Sequence, residues 1–130
     1  MQGLPRHFFR EASVLADAGI HDWAGLAPVD DAWLRHLAQR SSAASEARLL
    51  RLRAQARLIV ALTLPAEAAA LLLHGGIPDV ASLAVADPDD LLRRLQRLER
   101  SLLKGQSRLQ LVQLQGWIVA ARRQTGRSRN

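Results

Sequence analysis

Apolar residues recur along this chain at intervals of three and four, the spacing that collects them on one face of a helix. Phe8, Ala12, Leu15 and Ala16 share such a face and predict a helix from Pro5 to Ala18, with Pro in the first turn, where no donor is needed. Gly19 follows the last periodic position and suits a left-handed C-terminal cap. Asp22 then caps a short helix holding Trp23 and Leu26. Pro28 ends it, and Asp30 caps a third helix whose Leu34, Leu37 and Ala38 face inward. Ser41 and Ser42 make a break and supply the next N-cap. Residues 43–62 then predict a long helix with Leu49, Leu52, Ala56, Ile59 and Val60 on its apolar side and Arg48, Arg51, Arg53 and Arg57 around the rest of its circumference.

Residues 66–74 are almost wholly apolar, with Ala68, Ala69, Ala70, Leu71, Leu72 and Leu73 in a row, which predicts a buried helix ended by Gly75-Gly76. Asp79 caps a short segment over 80–85. Asp87-Pro88-Asp89-Asp90 combines a cap, a first-turn Pro and first-turn acids, a complete helix start. That helix runs to about Leu103 on Leu91, Leu95, Leu98 and Leu102, and Gly105 stops it. Ser107 caps a last helix carrying Leu111, Leu114, Trp117, Ile118 and Ala121, and residues 124–130 read as a frayed polar tail. No run alternates β-branched and polar residues as a strand would. The expected fold class is therefore all-α.

The pattern is written twice. Gly19-Ile20-His21-Asp22-Trp23-Ala24-Gly25-Leu26-Ala27 returns 57 residues later as Gly76-Ile77-Pro78-Asp79-Val80-Ala81-Ser82-Leu83-Ala84. Self-similarity of this kind fixes the architecture before any single residue is interpreted. It predicts two copies of a small helical unit, at 3–40 and 63–123, bridged by the long helix over 43–62, which packs on both. Together they form a single domain over 1–123.

Composition narrows the chemistry. At 48% apolar content the chain can bury a core. It has no Cys, so disulfides and thiolate metal sites are excluded. The N-terminus has no apolar run before its charges, so no signal peptide is expected. The most apolar stretch, 58–73, is too short to span a bilayer and is interrupted by Pro65 and Glu67. These features predict a cytoplasmic protein. The net charge of +6 is unevenly spread: residues 61–90 hold five acids and no Lys or Arg, whereas residues 91–130 hold nine Arg and Lys104 against Glu99. A basic end of this kind suits an anionic partner.

Two units of helix, tight turn, Gly-Ile-x-Asp and a capped Leu-rich helix look like tandem helix-hairpin-helix units. More narrowly, residues 61–123 resemble the uncharacterised bacterial family called domain of unknown function 4332, through Gly76-Ile77, Val80, Leu83-Ala84, Asp87-Pro88, Leu91 and Trp117-Ile118, and residues 3–40 look like a diverged copy. The resemblance implies an all-helical fold and carries no established activity. In DNA-binding members of the parent motif, a Gly-(apolar)-Gly hairpin offers backbone N–H groups to a phosphate. Here the hairpins read Gly3-Leu4-Pro5 and Thr63-Leu64-Pro65, with Pro, which has no N–H, in place of the second glycine. That departure argues against the inherited mode and leaves the structural role of the motif intact.

The strongest candidate contacts are Arg93, Arg97, Arg100 and Lys104, which recur at spacings of four, three and four opposite the Leu stripe, with Arg108 continuing the patch beyond Gly105. Each cation can meet a carboxylate or a phosphate. Trp33, aligned with the outward Asp90, is a candidate interface anchor. The Leu71-Leu72-Leu73 segment is either central or a face that a partner covers. His7, His21, His36 and His74 have no metal-ligand spacing, no Ser sits in a nucleophile elbow, and the Asp cluster at 87–90 is explained by a helix start. Neither an enzyme, nor a cofactor or metal site, nor a small-molecule ligand is expected. Two functions remain. One is an interaction module or assembly subunit that meets an acidic protein surface, with homo-oligomerisation left open. The other is sequence-nonspecific binding of a nucleic-acid backbone through the Arg93–Arg108 face.

Overall fold

The computed structural model describes residues 8–41, 44–103 and 109–128. They form α1 (Phe9–Asp17), α2 (Trp23–Leu26), α3 (Asp31–Arg40), α4 (Glu46–Leu62), α5 (Ala66–His74), α6 (Val80–Ala84), α7 (Pro88–Leu103) and α8 (Leu111–Ser128), with no strand among the described residues. The fold is all-α. It divides into two compact units, Met1–Glu67 and Ala68–Asn130, the boundary falling in the first turn of α5.

The two copies of the repeat close their turns with the same bonds. In the first unit the Gly19 N–H reaches the Ala16 carbonyl at 3.0 Å and the Ile20 N–H reaches Leu15 at 2.9 Å; in the second, Gly76 reaches Leu73 at 3.1 Å and Ile77 reaches Leu72 at 2.9 Å. Gly19 at φ 92° and Gly76 at φ 88° supply the left-handed residue this paired-bond cap requires. Asp22 accepts from the Gly25 N–H at 2.7 Å and Asp79 from Ser82 at 2.8 Å. Asp30 accepts from the Trp33 N–H at 2.7 Å and Asp87 from Asp90 at 3.0 Å. Behind these caps Leu15 and Leu72, Leu26 and Leu83, and Leu34 and Leu91 are the buried pairs, so the 57-residue offset holds from backbone to core.

The fourth helix of each unit was not visible as part of the repeat. Within the first unit α4 packs on α2 and α3, as α8 packs on α6 and α7 within the second. Each unit is therefore four helices. The fourth pair aligns at an offset of 65 rather than 57: Leu49 with Leu114, Ala56 with Ala121, Arg57 with Arg122, all but the arginines fully buried. Eight extra residues, six in the longer α7 and two in its connection to α8, break the register, which is why the repeat fades from the sequence at that point.

The cap and the buried stripe of α4 differ from expectation. Ser45, not Ser41 or Ser42, caps α4, its hydroxyl accepting from the Arg48 N–H at 3.1 Å. The α8 helix runs to Ser128, and the Thr125 hydroxyl donates back to the Arg122 carbonyl at 3.0 Å within it. On α4, Val60 is exposed and Leu58 buried, and the buried stripe also takes in Arg53 and Gln55. The expected cap Ser107, the stop at Gly105 and the start at Pro5 lie outside the described residues.

Candidate interaction surface

The α7 helix presents the cation row. The Asp87 cap and Pro88 start the helix, and Leu91 and Leu95 bury its inner side. Arg93, Arg97 and Arg100 fall on the opposite side and are exposed. Spaced four and three residues apart, they rise about 10 Å along the axis at 1.5 Å per residue. Arg97 and Arg100 have no ion-pair partner among the described residues, and Arg93 has only Asp90 Oδ1, at 3.9 Å. The row begins with two exposed acids, Asp89 and Asp90, one turn before Arg93. The other two expected members, Lys104 and Arg108, lie outside the described residues.

Arg94, one position from the row, serves the fold. Its Nη1 donates to the Gly75 carbonyl at 2.7 Å and its Nη2 to Asp90 Oδ2 at 3.2 Å, tying α7 to the turn that carries the repeat motif. Glu99 likewise faces inward, accepting from the Leu109 N–H at 3.0 Å, while Gln96 donates to the Leu109 carbonyl at 3.1 Å. The two together hold the start of α8 against α7.

On α4 the arginines differ from the sequence reading. Arg53 is only 8% exposed; it donates to the Val29 carbonyl at 3.0 Å and pairs with Asp31, while its Nε has no partner. Arg57 donates to the Ala27 carbonyl at 2.9 Å. Arg48 pairs with the buried Glu11 and stacks over Phe8 at 4.6 Å from the ring centroid. Arg48, Arg53 and Arg57 are thus bonded within the first unit. Periodicity places Arg outside because it prices the guanidinium and ignores the long apolar stem, which can cross a core to reach a carbonyl.

The second hairpin is also spent. Thr63 is the left-handed cap of α4 at φ 54°, and both its N–H and that of Leu64, the latter at 3.2 Å, go to the Ile59 carbonyl. Pro65 has no N–H. No backbone donor of the Thr63-Leu64-Pro65 turn is left for a phosphate; the corresponding Gly3-Leu4-Pro5 lies outside the described residues. Trp33 is 38% exposed on α3, at the position where α7 carries Asp90, as the repeat alignment required. Leu71, Leu72 and Leu73 are buried or half-buried and offer no exposed face. The described residues hold no group of three His, Cys, Asp or Glu placed to bind a metal, and no helix among them is long and apolar enough to cross a membrane.

Sequence reasoning also missed an apolar surface on α8. Val112 and Val119 are exposed with Gly116 between them, and Val85 stands exposed at the end of α6. The available signal was the absence of any charge from residue 109 to 121 in a chain that is 23% charged.

No curated protein and no solved structure shows significant similarity to this chain. The repeated Gly-Ile-x-Asp turns, the Asp87-Pro88 helix start and the late Trp117-Ile118 are the features that pointed to a family, and the match spans both units: the model described as Domain of unknown function (DUF4332) covers residues 5–124, and the chain belongs to that family.

Proposed function

We propose that this protein is a non-enzymatic interaction module of the cytoplasm that binds an acidic protein partner through the Arg93, Arg97 and Arg100 face of α7. The observation that carries this reading is the contrast among the arginines. Arg48, Arg53, Arg57 and Arg94 are bonded into their own units, whereas Arg97 and Arg100 stand exposed with no ion-pair partner among the described residues. Charge at such a rim steers encounter and sets register more than it adds affinity. Asp89 and Asp90 at the head of the row favour a partner with localised charge, because a continuous polyanion would meet repulsion there. The turn Thr63-Leu64-Pro65, with its backbone donors already bonded to Ile59, supports the same preference.

Backbone binding of nucleic acid is the second reading, favoured by the nine Arg and Lys104 over residues 91–130. One pair of titrations separates them. A fluorescein-labelled helical peptide of 20 residues, with Leu and Ala on one face and Glu on its flanks, and a labelled duplex of about 30 base pairs are titrated at low salt and at about 150 mM salt. The protein-partner reading expects peptide binding that the change of Arg93, Arg97 and Arg100 to Glu abolishes. Duplex binding that survives about 150 mM salt and is lost in that variant would establish the nucleic-acid reading instead.

A further inference from the structure

On α8, Val112, Gly116, Val119 and Arg123 follow one another at i, i+4, i+7 and i+11, so they share one face. Val112 is 77% exposed and Val119 44%, and Gly116 is open to solvent. A Cβ added at Gly116 would meet nothing within 4 Å. The glycine therefore answers to no packing need inside the unit, although Gly weakens a helix interior. Residues 109–121 carry no charge, and no acid follows Glu99. At the C-terminal side of α8 the Arg122 Nε donates to the Ala84 carbonyl at 3.0 Å and holds the end of α6 against α8. The surface thus sets two exposed valines and the uncharged Gln115 around one open glycine, is bare of charge, and is rimmed by Arg122 and Arg123. Charge depletion at the centre with cations at the edge is the composition of an interface rather than of a solvated helix.

We infer that the Val112–Gly116–Val119 face of α8 is a docking surface for an amphipathic, acidic helix of a protein partner. Its small apolar residues would lie across Gly116, and its flanking carboxylates would meet Arg122 and Arg123. Helix-on-helix docking of this kind reads apolar anchors at i, i+3, i+4 and i+7 and needs small residues where the axes come closest. The charge rim decides the occupant. A second copy would bring the same cation excess of residues 91–130 to its own image, whereas an acidic helix complements it. The inference rests on the protein-partner reading above and adds to the charged face of α7 a separate, uncharged surface on α8.

The test uses the full chain and the same Leu/Ala/Glu peptide, with a control peptide whose apolar face is replaced by Ser and Gln. Three variants are titrated: Gly116→Gln, Val112→Ser with Val119→Ser, and the triple Glu change at Arg93, Arg97 and Arg100. Gly116→Gln is expected to raise Tm, since it adds a better helix former in open space, and yet to weaken peptide binding by at least about tenfold. The double Ser variant should do the same without raising Tm, and the control peptide should not bind. Binding unchanged in both α8 variants but lost in the Arg triple would overturn this surface and leave the charged-face reading standing. Binding lost in the α8 variants but retained in the Arg triple would do the reverse. No peptide binding by the parent chain would overturn both. Concentration-dependent dimerisation of the chain alone, lost on Gly116→Gln, would replace the acidic helix by a second copy.

Discussion

Arg57 and Arg122 do the same work in the two units. Each reaches from the fourth helix of its unit to the end of the short second helix, Arg57 Nε to the Ala27 carbonyl at 2.9 Å and Arg122 Nε to the Ala84 carbonyl at 3.0 Å. Ala27 and Ala84 are 57 residues apart, the arginines 65. The contact survives an eight-residue shift in register because a short helix leaves its last carbonyls without intrahelical donors, and a guanidinium is the donor long enough to supply one.

Removing either hook should loosen its own unit. Arg122→Met is expected to cost about 1–2 kcal/mol in urea unfolding, because a partly buried carbonyl loses a charged donor. Arg57→Met should cost less, about 0.5–1 kcal/mol, since that bond is solvent-exposed. The double variant should show the sum within about 0.5 kcal/mol if the contacts act independently. An Arg57 effect equal to or larger than that of Arg122 would contradict the exposure argument.

The left-handed positions predict changes of opposite sign. Gly19→Ala should destabilise by about 1–2 kcal/mol through backbone strain alone, since a Cβ there meets nothing. Gly75→Ala should cost at least as much for a different reason: its Cβ would lie 2.5 Å from Leu95 Cδ2, in the core between α5 and α7. Thr63→Gly should stabilise by up to about 1 kcal/mol, relieving a β-branched residue at φ 54°. Thermal melts read all three, and a Thr63→Gly variant that melts lower would refute the strain argument.

The Arg48–Glu11 pair should matter more than any surface charge. Glu11 is buried, so Arg48→Met leaves a carboxylate without its cation and is expected to cost about 2–3 kcal/mol, below the full buried-pair value because Arg48 itself is partly exposed. Arg97→Met, on the exposed row, should stay within about 0.5 kcal/mol. Equal losses in chemical denaturation would mean that the row on α7 is also structural.

Arg53 should be replaceable. It lies at the position that Ile118 occupies in α8, and its Nε has no partner. Arg53→Met is expected to change stability by less than about 1 kcal/mol in either direction, since Arg57 Nη2 already approaches the Val29 carbonyl at 3.4 Å, the exposed Asp31 stays solvated without its partner, and the buried guanidinium no longer has to be desolvated. A loss above about 3 kcal/mol would show that its bonds to Val29 and Asp31 are indispensable.

Most of the helix order was legible in the chain because its signals are local. Asp22, Asp30, Asp79 and Asp87 cap helices through bonds three residues long, and Gly19 and Gly76 close turns through bonds of three and five residues; a sequence contains both ends of each. The 57-residue echo of those signals determined that there are two copies of one unit, and the Leu spacing of α7 determined that Arg93, Arg97 and Arg100 stand outside. Tertiary structure decided the rest, because it depends on partners far away in the chain. Whether Arg48, Arg53 and Arg57 face solvent or core was set by Glu11, Asp31 and the carbonyls of Ala27 and Val29, up to 37 residues distant. What α4 meets in the first unit was set by what its Leu49 and Ala56 bury against, and whether Gly116 packs or lies open was set by which side of α8 faces α6 and α7. A periodic pattern states which residues share a face; only the packed neighbours state what that face meets.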